Sequence, residues 1–136
     1  MTFIEKLEKR KIITSEMLKI FCGSLYFLLL GWYFIKLDVS MLAMGSFFIY
    51  FGGMANLCVM NFNNFAMPIA IKNEEEFRKV KERNSDRKIC MLGPRSRLKI
   101  LADRFYIING WHSMGDFILY VGFLMILLNI FTLLIV

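Results

Sequence analysis

From residue 39 to residue 71 the chain carries no charged side chain, a run of 33 residues. As one straight helix it would be about 50 Å long, far beyond the ~30 Å hydrocarbon core of a bilayer. The run therefore demands both a membrane and a break. We place a span at 41–62 and expect 63–71, with Asn63, Asn64 and Pro68, to fold back or lie along the interface as an interfacial or re-entrant segment. Pro68 disfavours helix at Met67 and brings no backbone donor.

Two further apolar runs have span length. The first, 17–35, holds a single charge, Lys19 near its start, where a long side chain can snorkel to the surface. The other, 114–136, holds Asp116 in its first turn. Hydrophobic residues make up 57% of the chain and the mean hydropathy is +0.54, leaving too few polar residues to cover a soluble domain of 136 residues. The expected fold is all-α: an integral membrane protein with three transmembrane helices and an interfacial, cytoplasmic helical loop. The connection at 36–40 is too short for anything but a helical hairpin. Gly23, Ser24 and Gly31 form a small-residue stripe on the first span, and Gly45, Ser46, Gly52, Gly53 and Asn56 are expected to give the second span a face to match it.

Outside the spans the chain is basic. Residues 1–16 read as an amphipathic N-terminal segment: Thr2 and Glu5 have capping-box spacing, Phe3, Ile4 and Leu7 share a face, and Lys6, Lys9, Arg10 and Lys11 take the others. Such a segment lies on the membrane surface or stands as a solvated tail. The 72–112 loop comes after the second span, and 11 of the 17 Lys and Arg residues fall in 72–104. Asn73 can cap a helix whose first turn is Glu74-Glu75-Glu76, with Glu74–Arg78 and Glu75–Lys79 as i,i+4 pairs, ending near Asn84. Gly93-Pro94 is expected to start a second helix with Leu98, Leu101, Ala102 and Phe105 on one side. Arg95, Arg97, Lys99 and Arg104 would meet lipid phosphates on the other. Asn109-Gly110 reads as a turn, and Trp111-His112 as an interface anchor. By the positive-inside rule the N-terminus and this loop are cytoplasmic, and the 36–40 connection and C-terminus external, in the plasma (inner) membrane.

Several classes of function find no support. The excess of Lys and Arg over acids, 17 against 11, belongs in so apolar a chain to loops meeting anionic lipid, so nucleic acid is not an expected partner. Cys22, Cys58 and Cys90 form no CxxC pair and read as buried or reduced thiols. His112 is the only histidine, so no metal site is expected, and no motif calls for a cofactor. The charged N-terminus and long first apolar run do not have the form of a cleavable signal peptide.

Two constellations remain. Asp116 is the one acid inside an apolar span, where a carboxylate is a candidate for proton transfer, cation binding or catalysis. Ser113-x-x-Asp116 is equally a capping box at a helix start. The second constellation is amide-rich: Asn56, Asn61, Asn63 and Asn64, with Asn129 on the third span. Irregular backbone at membrane depth is tolerated only where buried or facing a cavity, so Asn56, Asn61, Asn63, Asn64 and Asp116 are the candidates for a ligand or ion pocket.

Asn61 with Met67-Pro68, then Leu101-x-Asp103, then Ser113-Met114-Gly115-Asp116 with Gly122, resembles a family of small bacterial polytopic membrane proteins known only as a domain of unknown function. The resemblance covers roughly residues 50–130 and implies no activity. This chain departs from the family's pattern in lacking a glycine pair after the asparagine. A fainter likeness, Asp103-Arg104 and the Asp116–Gly122 spacing, is to lipoprotein signal peptidases, and it implies Asp103 and Asp116 as a catalytic pair. The expected function is that of a non-enzymatic membrane protein, an accessory subunit or oligomeric assembly. Its basic loop would contact anionic lipid or a cytoplasmic partner, and its small-residue faces would pack against copies of itself or a larger membrane protein. Its rivals are an oligomeric channel or transporter using Asp116 and the asparagines, and an intramembrane aspartyl-type hydrolase.

Overall fold

The structure, a computed structural model, describes residues 3–83, 88–107 and 110–135, with the side chains of 3–14 and 16 outside that description. Three of its helices are long and apolar enough to cross a membrane: Met17–Lys36, Ser40–Phe62 and Met114–Ile135. This is a multi-pass, mostly helical membrane protein.

The first of these spans is the C-terminal part of a longer helix, α1, Phe3–Lys36. Its 34 residues measure about 51 Å, so some 20 Å of it extends beyond a ~30 Å core. Residues 1–16 are thus not a separate surface helix: from Phe3 onward they continue the span. No glycine or proline occurs before Gly23, and Glu, Lys, Arg and Leu propagate the helix through the charged part. The Thr2–Glu5 box and the faces assigned to Phe3, Ile4 and Leu7 lie outside the described side chains.

After a three-residue turn, in which Asp38 takes a left-handed conformation (φ 59°), α2 runs Ser40–Phe62 antiparallel to α1. The third span is α4, Met114–Ile135. Over an apolar stretch of 18 residues in each span, 44% of residues are buried in α2 against 11% in α1 and 6% in α4, so α2 is the central helix. Its small residues do not form the single face expected to match the first span. Gly45 and Gly52, two turns apart, meet Gly122 and Gly115 of α4. A Cβ on Gly52 would lie 2.6 Å from the Gly115 carbonyl oxygen, and one on Gly122 would lie 2.6 Å from that of Gly45. Seven-residue spacing keeps each glycine pair on one face, which lets two antiparallel backbones touch along a line. Gly53, one residue on and ~100° around the helix, faces Ser24 of α1, and Gly31 takes the edge of the Phe47 ring. Gly23 has open space around it.

α2 ends at Phe62, and Asn64 (φ 55°) and Phe65 (φ 60°) turn the chain through the left-handed region. The Met60 carbonyl accepts from both Asn63 N (3.2 Å) and Phe65 N (2.7 Å), closing the helix. Beyond this turn and as far as residue 71 the chain is not helical. Met67–Ile69 is a strand, β1, paired in parallel with β2, Ile89–Met91, in the register Met67–Ile89, Pro68–Cys90, Ile69–Met91. On its other edge Asp103 N donates to Pro68 O (2.9 Å) and Ala70 N to Asp103 O (2.8 Å). Paired on both edges, this short uncharged stretch satisfies its backbone without a helix. Between the strands α3, Glu74–Arg83, starts where Asn73 Oδ1 accepts from Glu75 N (2.9 Å), and Glu75 pairs with Lys79 (2.9 Å). Phe77 and Val80 pack on Ile69, Ile71 and Ile89, with Trp111 completing a small core beyond the helices. The expected stop near Asn84 lies outside the described residues.

The second loop helix expected after Gly93-Pro94 does not form; a single 3-10 turn, Lys99–Leu101, stands in its place. Leu98 sits in the left-handed region (φ 53°), which an α-helix cannot pass through. The chain then makes an antiparallel hairpin of β3, Phe105–Ile107, and β4, Gly110–His112. Asn109 of the expected turn lies outside the described residues.

Candidate functional site

The polar centre of the molecule is a knot at the start of α4. Asp116 N donates to Ser113 Oγ (3.0 Å) and Ser113 N to Asp116 Oδ2 (2.9 Å), the reciprocal pair of a capping box. Asn56 enters from α2: its Nδ2 donates to Asp116 Oδ1 (2.8 Å) and its Oδ1 accepts from Ser113 Oγ (2.7 Å). Ser113 is fully buried. Four hydrogen bonds thus close on three side chains, and both carboxylate oxygens are engaged. Gly115 makes this possible, because a Cβ there would collide with the Asn56 amide. The knot sits one helical turn from the Gly52–Gly115 contact and fixes the register of α2 on α4.

The other asparagines do not join it. Asn63 instead grips a backbone: its Nδ2 donates to Val59 O (2.8 Å) and Arg97 O (2.9 Å), and its Oδ1 accepts from Arg97 N (2.8 Å). Asn64 offers its carbonyl to Lys88 Nζ (2.8 Å). Asn61 lies beside a groove between α1 and α2. Asn129, on α4, buries its Oδ1 without a hydrogen-bond partner. The pocket candidates therefore divide into a capping knot (Asn56, Asp116), a loop clamp (Asn63), a turn (Asn64) and a groove edge (Asn61). Asp103, the other carboxylate singled out, is buried in the small sheet, with its backbone bonded on both sides to β1.

His112 bridges the hairpin to α4. Its ring nitrogens lie 3.1 Å from Ile107 O and 3.0 Å from Tyr120 Oη. With Phe117 these residues line a cleft of about 380 Å³. Among the described residues no cluster of His, Cys, Asp or Glu has the makings of a metal site. Arg95, Arg97, Lys99 and Arg104 are all exposed, and between them stand exposed Leu98 and Ile100, the latter at 73%. The Asn63–Arg97 clamp and the Lys88–Asn64 contact escaped sequence reading, because residues 34 and 24 positions apart share no periodicity. The Asn56–Asp116 pairing carried a faint signal: Asn56 is one turn beyond Gly52, and Gly115 and Gly122 repeat the spacing of Gly45 and Gly52.

Cys90, on β2, gives this end of the molecule a chemical probe. Burial pushes its thiol pKa up, partly opposed by the Lys88 ammonium. A raised thiol pKa favours the folded state below the ordinary thiol range, and that contribution fades as pH rises through the shifted value. Alkylation of Cys90 in a Cys22→Ser/Cys58→Ser chain should therefore be slower than that of a free thiol at about pH 8 and reach half its maximal rate at a higher pH. A rate profile matching a free thiol would contradict this burial.

No curated protein and no solved structure matches the chain. The sequence does match one family, DUF5317, over residues 1–128, which takes in the clamp, the knot and nearly all of the three spans. The chain belongs to DUF5317, a family of unknown function.

Proposed function

We propose that the protein is a non-enzymatic membrane subunit whose basic loop seats on anionic phospholipid headgroups at the cytoplasmic face of the plasma membrane. The observation that carries this reading is the Asn63 clamp. By gripping Arg97 through both its N–H and its carbonyl, Asn63 ties the 95–101 segment to the end of a membrane-spanning helix. At that depth exposed Arg95, Arg97 and Lys99 alternate with exposed Leu98 and Ile100. Such a surface suits the headgroup boundary, where apolar side chains dip toward the acyl region and cations meet phosphate. Exposed Phe105, Tyr106 and Ile107 of the hairpin extend it. In this reading the N-terminus is cytoplasmic and the C-terminus external, and the outer faces of α1 and α4 face lipid, further copies or a larger membrane-protein partner. The engagement of both Asp116 oxygens in the knot supports a structural rather than a catalytic carboxylate.

Amide hydrogen exchange tests the reading. In nanodiscs of phosphatidylglycerol, amides of residues 95–107 should be protected relative to nanodiscs of phosphatidylcholine, and the difference should shrink as salt rises from about 0.05 to about 0.5 M. Equal exchange in the two lipids would refute headgroup seating.

A further inference from the structure

The groove between α1 and α2 extends this reading from a surface contact to a site. Met17, Leu18 and Phe21 of α1 form one wall, Leu57 and Cys58 of α2 the other, and Asn61 stands at the end nearest the loop. Its volume is about 420 Å³, within the ~300–1,000 Å³ of ligand sites, and its lining is almost wholly apolar. It opens sideways from the spans, so its natural occupant is an acyl chain. What distinguishes it from the rest of the lipid-facing surface is the pair of contacts made just beyond the end of its α2 wall. Within three residues of Asn61, Asn63 holds Arg97 by its backbone and the Asn64 carbonyl holds the Lys88 ammonium. The Lys88 ammonium and the backbone of Arg97 are thus tied to the end of the helix that forms one wall, close to the level at which the phosphate of a seated lipid would lie.

We infer that this groove is a binding site for one anionic phospholipid, with an acyl chain along Leu18, Phe21 and Leu57 and the headgroup phosphate met by Arg97 and Lys88. The inference rests on the proposed headgroup seating but asks for more than it: a defined, stoichiometric site. Anionic charge selects the lipid, because each cation near a headgroup is worth about fivefold in affinity. The apolar walls hold the chain whatever the headgroup.

Native mass spectrometry of the full chain, released from micelles holding equal amounts of dioleoyl phosphatidylglycerol and dioleoyl phosphatidylcholine, tests this directly. One bound phosphatidylglycerol is expected in preference to phosphatidylcholine. Arg97→Gln and Lys88→Gln should each lower that preference by about fivefold. Cys58→Phe and Leu18→Phe fill the groove from opposite walls, and either one, if still helical by circular dichroism, should remove the adduct. Cys22→Phe, on an exposed face of α1, should leave it intact. An adduct that survives both filling variants, or that shows no preference for phosphatidylglycerol, would overturn the site. If headgroup seating alone holds, residues 95–107 are still protected in phosphatidylglycerol nanodiscs while the adduct is absent, and the site is overturned on its own.

Discussion

Gly52→Val should unfold the helix bundle, with a loss of at least about 2 kcal/mol in a folding assay such as steric trapping in bicelles. The reason lies in what the added side chain meets. A Cβ on Gly52 would stand 2.6 Å from the Gly115 carbonyl oxygen and 2.8 Å from Leu119 N, and neither backbone atom can move aside as a flexible side chain would. α2 and α4 must therefore separate along their whole contact, including Gly45–Gly122 seven residues away and the Asn56 knot one turn away. In a membrane no hydrophobic force draws the helices back, since lipid is as apolar as the side chains, so lost close packing is lost association. Gly122→Val should have a similar effect, with its Cβ 2.6 Å from Gly45 O. The two effects should be far from additive, because either one already parts the helices. Gly23→Val is the control: nothing lies within 4 Å of its added Cβ, and a change within about 0.5 kcal/mol is expected. Native-like stability in Gly52→Val would mean that α2 and α4 do not pack through these glycines.

The spans were legible because charge and length are read directly from the chain: the uncharged run of 33 residues is too long for one helix, and α2 stops at Phe62. The cap beyond that point was not legible. Its strands are three residues each, too short to show a period of two, and β1 pairs with β2 in parallel across α3, so no hairpin signal marks it. The expected helix after Gly93-Pro94 rested on apolar spacing at Leu98, Leu101, Ala102 and Phe105. That periodicity lost to a left-handed Leu98 and to the long-range grip of Asn63 on Arg97. The small residues showed that helices would pack closely. They did not show which pairs would meet, because Gly52 and Gly53 are adjacent in sequence and face different neighbours. In the candidate site, the Ser113–Asp116 box could be read from its spacing, whereas Asn56 joined it only through the register that the glycines impose.

That register gives Asp116 its most discriminating test. Asp116→Asn should be nearly silent, below about 1 kcal/mol, while Asp116→Leu should cost about 1–3 kcal/mol, and the difference lies in the wiring of the knot. As built, Asn56 Nδ2 donates to one carboxylate oxygen and Ser113 N to the other. An asparagine at 116 keeps its carbonyl toward Ser113 N and turns its own amide toward Asn56. That would set donor against donor, unless Asn56 rotates by half a turn about its last bond. Once rotated, Asn56 accepts from the new amide and donates to Ser113 Oγ, which has an acceptor site to spare. Four bonds survive the change, and its one cost is that the Ser113 O–H gives up the Asn56 oxygen as its acceptor. Leucine at 116 removes both acceptors, leaving the Ser113 N–H and the Asn56 amide with fewer partners at the edge of a span and α4 with only the Ser113 half of its capping box. Asn56→Leu should weaken the fold alone but cost less on top of Asp116→Leu, since both break the Asn56–Asp116 bond, and a double-mutant cycle would measure that coupling directly. A large loss of stability in Asp116→Asn would show that the negative charge itself holds the helix start. The amide network would then not be what joins α2 to α4.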